Sequence, residues 1–115
     1  MLTCMVDHTA ALDAVFRAVA DPTRRAILEQ LGPTPARVTD IAGKFPVSLN
    51  AISKHLMVLE RAGLVRRDVR GRDHICRLDG QPLRQALAWM EEIRAFWEVR
   101  LDALERHVLE RQKRT

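Results

Sequence analysis

Two cysteines in 115 residues, Cys4 and Cys76, are too few for a disulfide framework or a four-thiolate zinc site. Aromatic residues make up only 4% of the chain, so a core must be assembled from Leu, Val, Ile and Ala. That palette favours helices over an all-β sandwich. No apolar run approaches membrane-spanning length, and Asp7 and Asp13 interrupt what would have to be a signal peptide. There is no internal repeat, no Gly-rich phosphate loop, no nucleophile paired with a base and no carboxylate cluster in a candidate cleft. Enzymatic chemistry is therefore not expected, and neither is a cofactor. A single cytoplasmic domain of residues 1–115 is expected, with no membrane partner.

What is present is cationic charge in one place. The net charge is +4 with a sequence pI near 9.8. Residues 34–74 hold eight basic against four acidic groups, whereas the segments on either side are close to balanced. Localised positive charge is the electrostatic footprint of a nucleic-acid partner.

Hydrophobic spacing predicts five helices and one hairpin. Leu12, Val15, Phe16 and Val19 recur at helical spacing over residues 7–20. "DPTRRAILEQLG" predicts a second helix, with Asp21 as N-cap, Pro22 in the first turn and Gly32 at the end. "PTPAR" reads as a loop, and "VTDIAGKF" as a short third helix with Ile41, Ala42 and Phe45 inward. Ser48 is placed to cap a fourth helix, with Ile52, Leu56 and Leu59 as its buried stripe. Gly63 should end that helix in a left-handed turn, folding Leu64 back on Leu59. "LVRRDV" and "HICRL" predict strands around the tip "RGRD", a hairpin over residues 64–78. Residues 82–112 carry apolar residues at steps of three and four, the pattern of one long amphipathic helix. On its outer face Asp102 is spaced to pair with Arg106.

Helices over residues 38–62 joined by a tight turn describe a helix-turn-helix. Its second helix keeps Leu49, Asn50, Ser53 and Lys54 away from the apolar stripe. These groups suit a DNA major groove. An amide can pair bidentately with adenine, an ammonium can reach guanine or a phosphate, and Leu49 can touch a thymine methyl. Ser48, Ser53 and His55 are candidates for backbone or water-mediated contacts, His55 with packing as its other role. Arg66, Arg70 and Arg72 belong to a hairpin that can follow the DNA backbone or enter a minor groove. Asp68 and Asp73 are spaced to neutralise some of the hairpin arginines. A winged-helix module that binds protein instead of DNA is the alternative, and it would more often expose Leu, Phe or Met on this helix.

"DPTRRAIL", "VTDIAGKFPVSLNAISKHLMVLERAGLV" and "RGRDHICRLD" together resemble the ArsR/SmtB family of winged helix-turn-helix repressors. The resemblance covers about residues 12–80, and the long last helix fits one subgroup. It implies a mainly α fold with a small β-hairpin wing and a homodimer joined by the first and last helices. It also implies repression by binding a palindromic DNA operator. Leu12, Phe16, Trp97, Leu101 and Leu104 are the candidate dimer residues. The apolar stripe of the last helix is longer than a domain of this size can cover, which also asks for a second chain. Many family members are metal sensors with thiolates in the third helix or Asp/His pairs in the last. The third helix here has no cysteine and the last has only His107. A weaker set, Cys4, His8 and His107, is the remaining metal candidate. No small-molecule or metal effector is named by the sequence.

Overall fold

The computed structural model describes the backbone of residues 2–114 and the side chains of residues 9–114. Five helices and three strands follow in the order α1 (Leu2–Val19), α2 (Pro22–Leu31), β1 (Ala36–Arg37), α3 (Val38–Ala42), α4 (Leu49–Arg61), β2 (Val65–Arg70), β3 (Asp73–Leu78) and α5 (Gln81–Arg114). The chain divides into two compact units, Met1–Gln85 and Ala86–Thr115.

In the first unit local chemistry sets most element ends. The Asp21 carboxylate accepts from the Arg24 backbone N–H (3.0 Å) and Pro22 fills the first turn of α2. Ser48 Oγ accepts from the Ala51 N–H (3.1 Å) at the start of α4. Gly63 adopts φ +75°, which costs an L side chain strain but glycine nothing. The Leu64 N–H then reaches Leu59 O and the Gly63 N–H reaches Glu60 O, both at 3.0 Å. That bond pair is the Schellman closure expected from the sequence.

The core is aliphatic. Ile27, Ile41, Ile52, Leu56, Leu59 and Leu64 are fully buried, and no polar side chain is buried among the described residues. Each such side chain contributes on the order of 1.5–3 kcal/mol through the water it sheds. α4 packs on α1, α2, α3 and β2, so its apolar stripe holds the unit together while its other side stays in solvent.

β2 and β3 form the expected hairpin, in register from Val65↔Leu78 to Arg70↔Asp73. Gly71 (φ +64°) and Arg72 make a two-residue turn, with positive φ only at its first position. This is the type II′ pattern, whose twist matches that of the strands.

Three local expectations are corrected. The stretch read as a loop contains β1, which pairs antiparallel with β3 (Ala36↔Cys76, Arg37↔Ile75) and makes the sheet three-stranded, in the order β1-β3-β2. A two-residue strand carries no periodicity, and its partner lies far along the chain. α3 ends at Ala42 rather than Phe45, because the backbone tightens there. The Lys44 N–H bonds Ile41 O (3.2 Å) and the Phe45 N–H bonds Ala42 O (3.3 Å), the 3₁₀ pattern. α1 begins at Leu2, ahead of the expected residue 7.

The second unit is the body of α5. Its large apolar residues are exposed, including Leu87, Met90, Trp97, Leu101 and Leu104. Phe96 and Trp97 meet edge to face with ring centroids 6.1 Å apart, and the Arg100 guanidinium lies 4.4 Å from the Phe96 ring centre. The ion pairs described on this helix join Arg94 to Glu91 and to Glu98, in place of the expected Asp102–Arg106 pair. Arg94 has a carboxylate within about one turn on each side, three residues before and four after, whereas these pairs, all exposed, add little stability. No helix of the described residues is long and apolar enough to cross a membrane.

Candidate nucleic-acid interface

The side of α4 away from its buried stripe is open. Leu49, Asn50 and Lys54 are exposed, and Ser53 is half-buried. Ser48 is also exposed, but its hydroxyl is already used as the cap of the helix. Met57, 46% exposed, shares this side and was not among the residues singled out from the sequence.

His55 is placed differently. It is half-buried, with Nδ1 3.3 Å from Arg24 Nη1 and 3.8 Å from Asp21 Oδ2. Arginine offers only donors, so a hydrogen bond between the two requires Nδ1 to accept, which places a single ring proton on Nε2. Arg24 is committed further. Its Nε donates to Ala18 O (2.7 Å) and its Nη2 to Arg17 O (2.9 Å), while Arg25 Nη1 donates to Val19 O (2.8 Å). The two arginines of "DPTRR" thus satisfy the carbonyls left open at the end of α1. The backbone N–H of Arg24 is the main reason that the Asp21 carboxyl lies below its usual value, with the nearby His55 adding to it.

The sheet sorts the arginines into two groups. Arg66 Nε donates to Asp79 (2.8 Å), and Arg67 Nε donates to Glu60 (2.7 Å). Arg77 lies 3.9 Å from Asp68, and Arg37 lies 3.8 Å from Asp73. Arg70 and Arg72, at the tip, have no acidic partner among the described residues, and both are exposed. Asp79 has a second duty, accepting from the Gln81 N–H (3.1 Å) at the start of α5. That bond first, and Arg66 second, hold its carboxyl below the usual range. The net cationic charge of the wing is therefore concentrated at its turn.

A groove of about 270 Å³ lies between the start of α4 and the wing, lined by Arg37, Thr39, Leu49, Ser53, Arg72 and Asp73 among others. Sequence reasoning missed Arg37, because only strand pairing brings it here.

Of the candidate dimer residues, Leu12 is buried, Phe16 is half-buried, and Trp97, Leu101 and Leu104 are exposed on α5. The side chains of Cys4 and His8 lie outside the described residues, and His107 is exposed. Among the described residues no three His, Cys, Asp or Glu side chains are grouped to hold a metal ion.

The chain is similar in sequence and fold to known proteins. A protein-family model described as a helix-turn-helix domain matches residues 19–68. The HTH-type transcriptional regulator Rv2034 of Mycobacterium tuberculosis is 39% identical over 85 residues, spanning 74% of this chain and 77% of the relative. The transcriptional repressor SdpR of Bacillus subtilis is 34% identical over 79 residues, 69% of this chain and 88% of the relative. Among solved structures, an ArsR-like transcriptional regulator from Rhodococcus sp. RHA1 superposes with a TM-score of 0.74. It is 38% identical, with 85% of this chain and 92% of that one covered.

Proposed function

The chain belongs to the ArsR/SmtB family of winged helix-turn-helix transcriptional regulators, and from that premise we propose that it is a homodimeric repressor of a palindromic DNA operator. The family is one of DNA-binding regulators rather than enzymes. The observation that carries the reading is the pairing of a polar, exposed face on α4 with two arginines at the wing tip that have no acidic partner among the described residues.

In this reading α4 enters the major groove. Asn50 reads adenine through its amide, Leu49 packs on a thymine methyl, and Lys54 takes guanine or a phosphate. Ser48, Ser53 and His55 contribute through backbone or bridging water, His55 from a ring already held by Arg24. Arg70 and Arg72 lie on flanking DNA, with Arg66 beside them despite its bond to Asp79. The exposed apolar residues of α5, Trp97, Leu101 and Leu104, are covered by a second copy. Two copies then present two α4 helices to half-sites one helical turn apart, roughly 34 Å. Repression is favoured by the likeness to SdpR. The working compartment is the cytoplasm.

A salt titration on matched operator and random duplexes tests the assignment. Asn50→Ala is expected to cost about 1–3 kcal/mol on the operator and little on random DNA. Arg70→Ala and Arg72→Ala are each expected to weaken both duplexes alike. Each should lower the slope of log K against log salt by about one unit. Asn50→Ala acting on both duplexes equally, with the wing variants acting on the operator alone, would reverse the two roles.

A further inference from the structure

We propose that the groove between β1, the start of α4 and the wing is a seat for a DNA backbone phosphate, built around Arg37 and Arg72, with Asp73 as an internal competitor for Arg37. The inference rests on the reading of α4 as a major-groove helix and adds a residue to it that lies outside both the helix-turn-helix and the hairpin.

Three observations support the seat. First, β1 carries Arg37 to the sheet. The residue pairs with Ile75 across β3, two positions from Asp73, so a side chain from the segment before α3 stands beside the wing turn. Second, the groove offers what a phosphodiester needs. Arg37 and Arg72 line it together with Thr39 and Ser53, so two guanidinium-bearing and two hydroxyl-bearing residues border one space. Planar guanidinium forks and hydroxyl donors suit tetrahedral oxyanions. Third, Leu49 and Ser53 also line it, so the groove shares a wall with the face of α4 that meets bases. A helix in the major groove has a sugar-phosphate strand on each flank. The space between that helix and the wing is where one of those strands must cross.

Asp73 makes the seat conditional. Its carboxylate lies 3.8 Å from Arg37, and the two side chains are 48% and 58% exposed. An exposed pair at that distance is weak, so a phosphate with two or more donors can displace it. Until then Asp73 screens Arg37 and repels backbone that is not held in register by α4. The carboxylate therefore lowers affinity for random duplex more than for the operator.

The test is a set of salt titrations on operator and random duplexes, with thermal melts to show that each variant is folded. Arg37→Gln is expected to lower the slope of log K against log salt by about one unit on both duplexes, while Arg37→Lys keeps it. Asp73→Asn is expected to raise affinity for random DNA by roughly two- to five-fold. That gain should vanish when combined with Arg37→Gln. An unchanged slope in Arg37→Gln, with Asn50→Ala still losing the operator, overturns the seat and leaves the major-groove reading standing. If Asn50→Ala also has no effect, the major-groove reading itself has failed. A gain from Asp73→Asn that persists without Arg37 removes the competition. Inorganic phosphate is expected to displace DNA no better than chloride at matched ionic strength. Saturable displacement by phosphate would assign the groove to a free anion and overturn the backbone assignment.

Discussion

Arg24 and His55 join the corner between α1 and α2 to the middle of α4, with Nη1 of the arginine 3.3 Å from Nδ1 of the histidine. The same guanidinium closes the end of α1 through Ala18 O and Arg17 O. One side chain of α2 thus ties the helix proposed to read DNA to the end of α1. Arginine can do this because its planar fork presents donors in several fixed directions; lysine has a single ammonium.

Arg24→Ala should therefore lower unfolding free energy by on the order of 2 kcal/mol, the loss of hydrogen bonds from a charged donor in a half-buried place. Arg25→Ala removes one bond from an exposed residue and should cost less than about 1 kcal/mol. Urea denaturation of both variants checks the contrast. Equal, small losses would show that the link carries little of the stability.

The apolar face of α5 leads to a second expectation. Trp97→Glu combined with Leu101→Glu should yield a monomer by sedimentation, because two charges would stand where the proposed partner buries carbon. Circular dichroism should still show a folded winged unit. A double variant that remains a stable dimer would remove these residues from the interface.

Cys76 sits on the central strand, opposite Arg67 and Ala36, and is fully buried. Burial pushes its thiol pKa up, against a smaller opposing effect of Arg67. A buried, protonated thiol is a poor nucleophile. In a Cys4→Ser background, iodoacetamide at neutral pH should label Cys76 slowly in the folded protein and quickly in urea, as read by mass spectrometry. Rapid labelling of the folded protein would contradict its placement.

Acid should act through Asp21 and Asp79. Both carboxyls titrate below the usual aspartate value of 3.8, each chiefly because a backbone N–H donates to the ionised form. A depressed folded value means stability that is fully present above the unfolded value and lost as pH falls through the folded one. Melting temperature should accordingly drop as pH is taken below the ordinary carboxylate range. Asp21→Asn and Asp79→Asn should each flatten that decline. An acid limb unchanged in both variants would place the effect elsewhere.

Much of the architecture could be read along the chain because its signals are local. Asp21 with Pro22, Ser48, and Gly63 followed by Leu64 each satisfy or release backbone groups within a few residues. The order of a chain displays such short-range chemistry directly. The alternation in "VRRDVR" and "DHICRL" around Gly71 is likewise a short-range pattern, and so are the apolar steps of α4 and α5.

Tertiary structure decided which charges are spent and which remain. Nothing in the order of residues says that Arg67 takes Glu60, that Arg66 takes Asp79, or that Arg70 and Arg72 go without an acidic partner among the described residues. It also does not say that Arg24 reaches His55, or that Arg37 arrives beside the wing on a two-residue strand. Those pairings join residues from separate elements, and their distances follow from how the helices and sheet pack around Ile41, Ile52, Leu56 and Leu59. Helical and strand periodicity identify the face that turns inward; only the closed core determines which side chains meet across it.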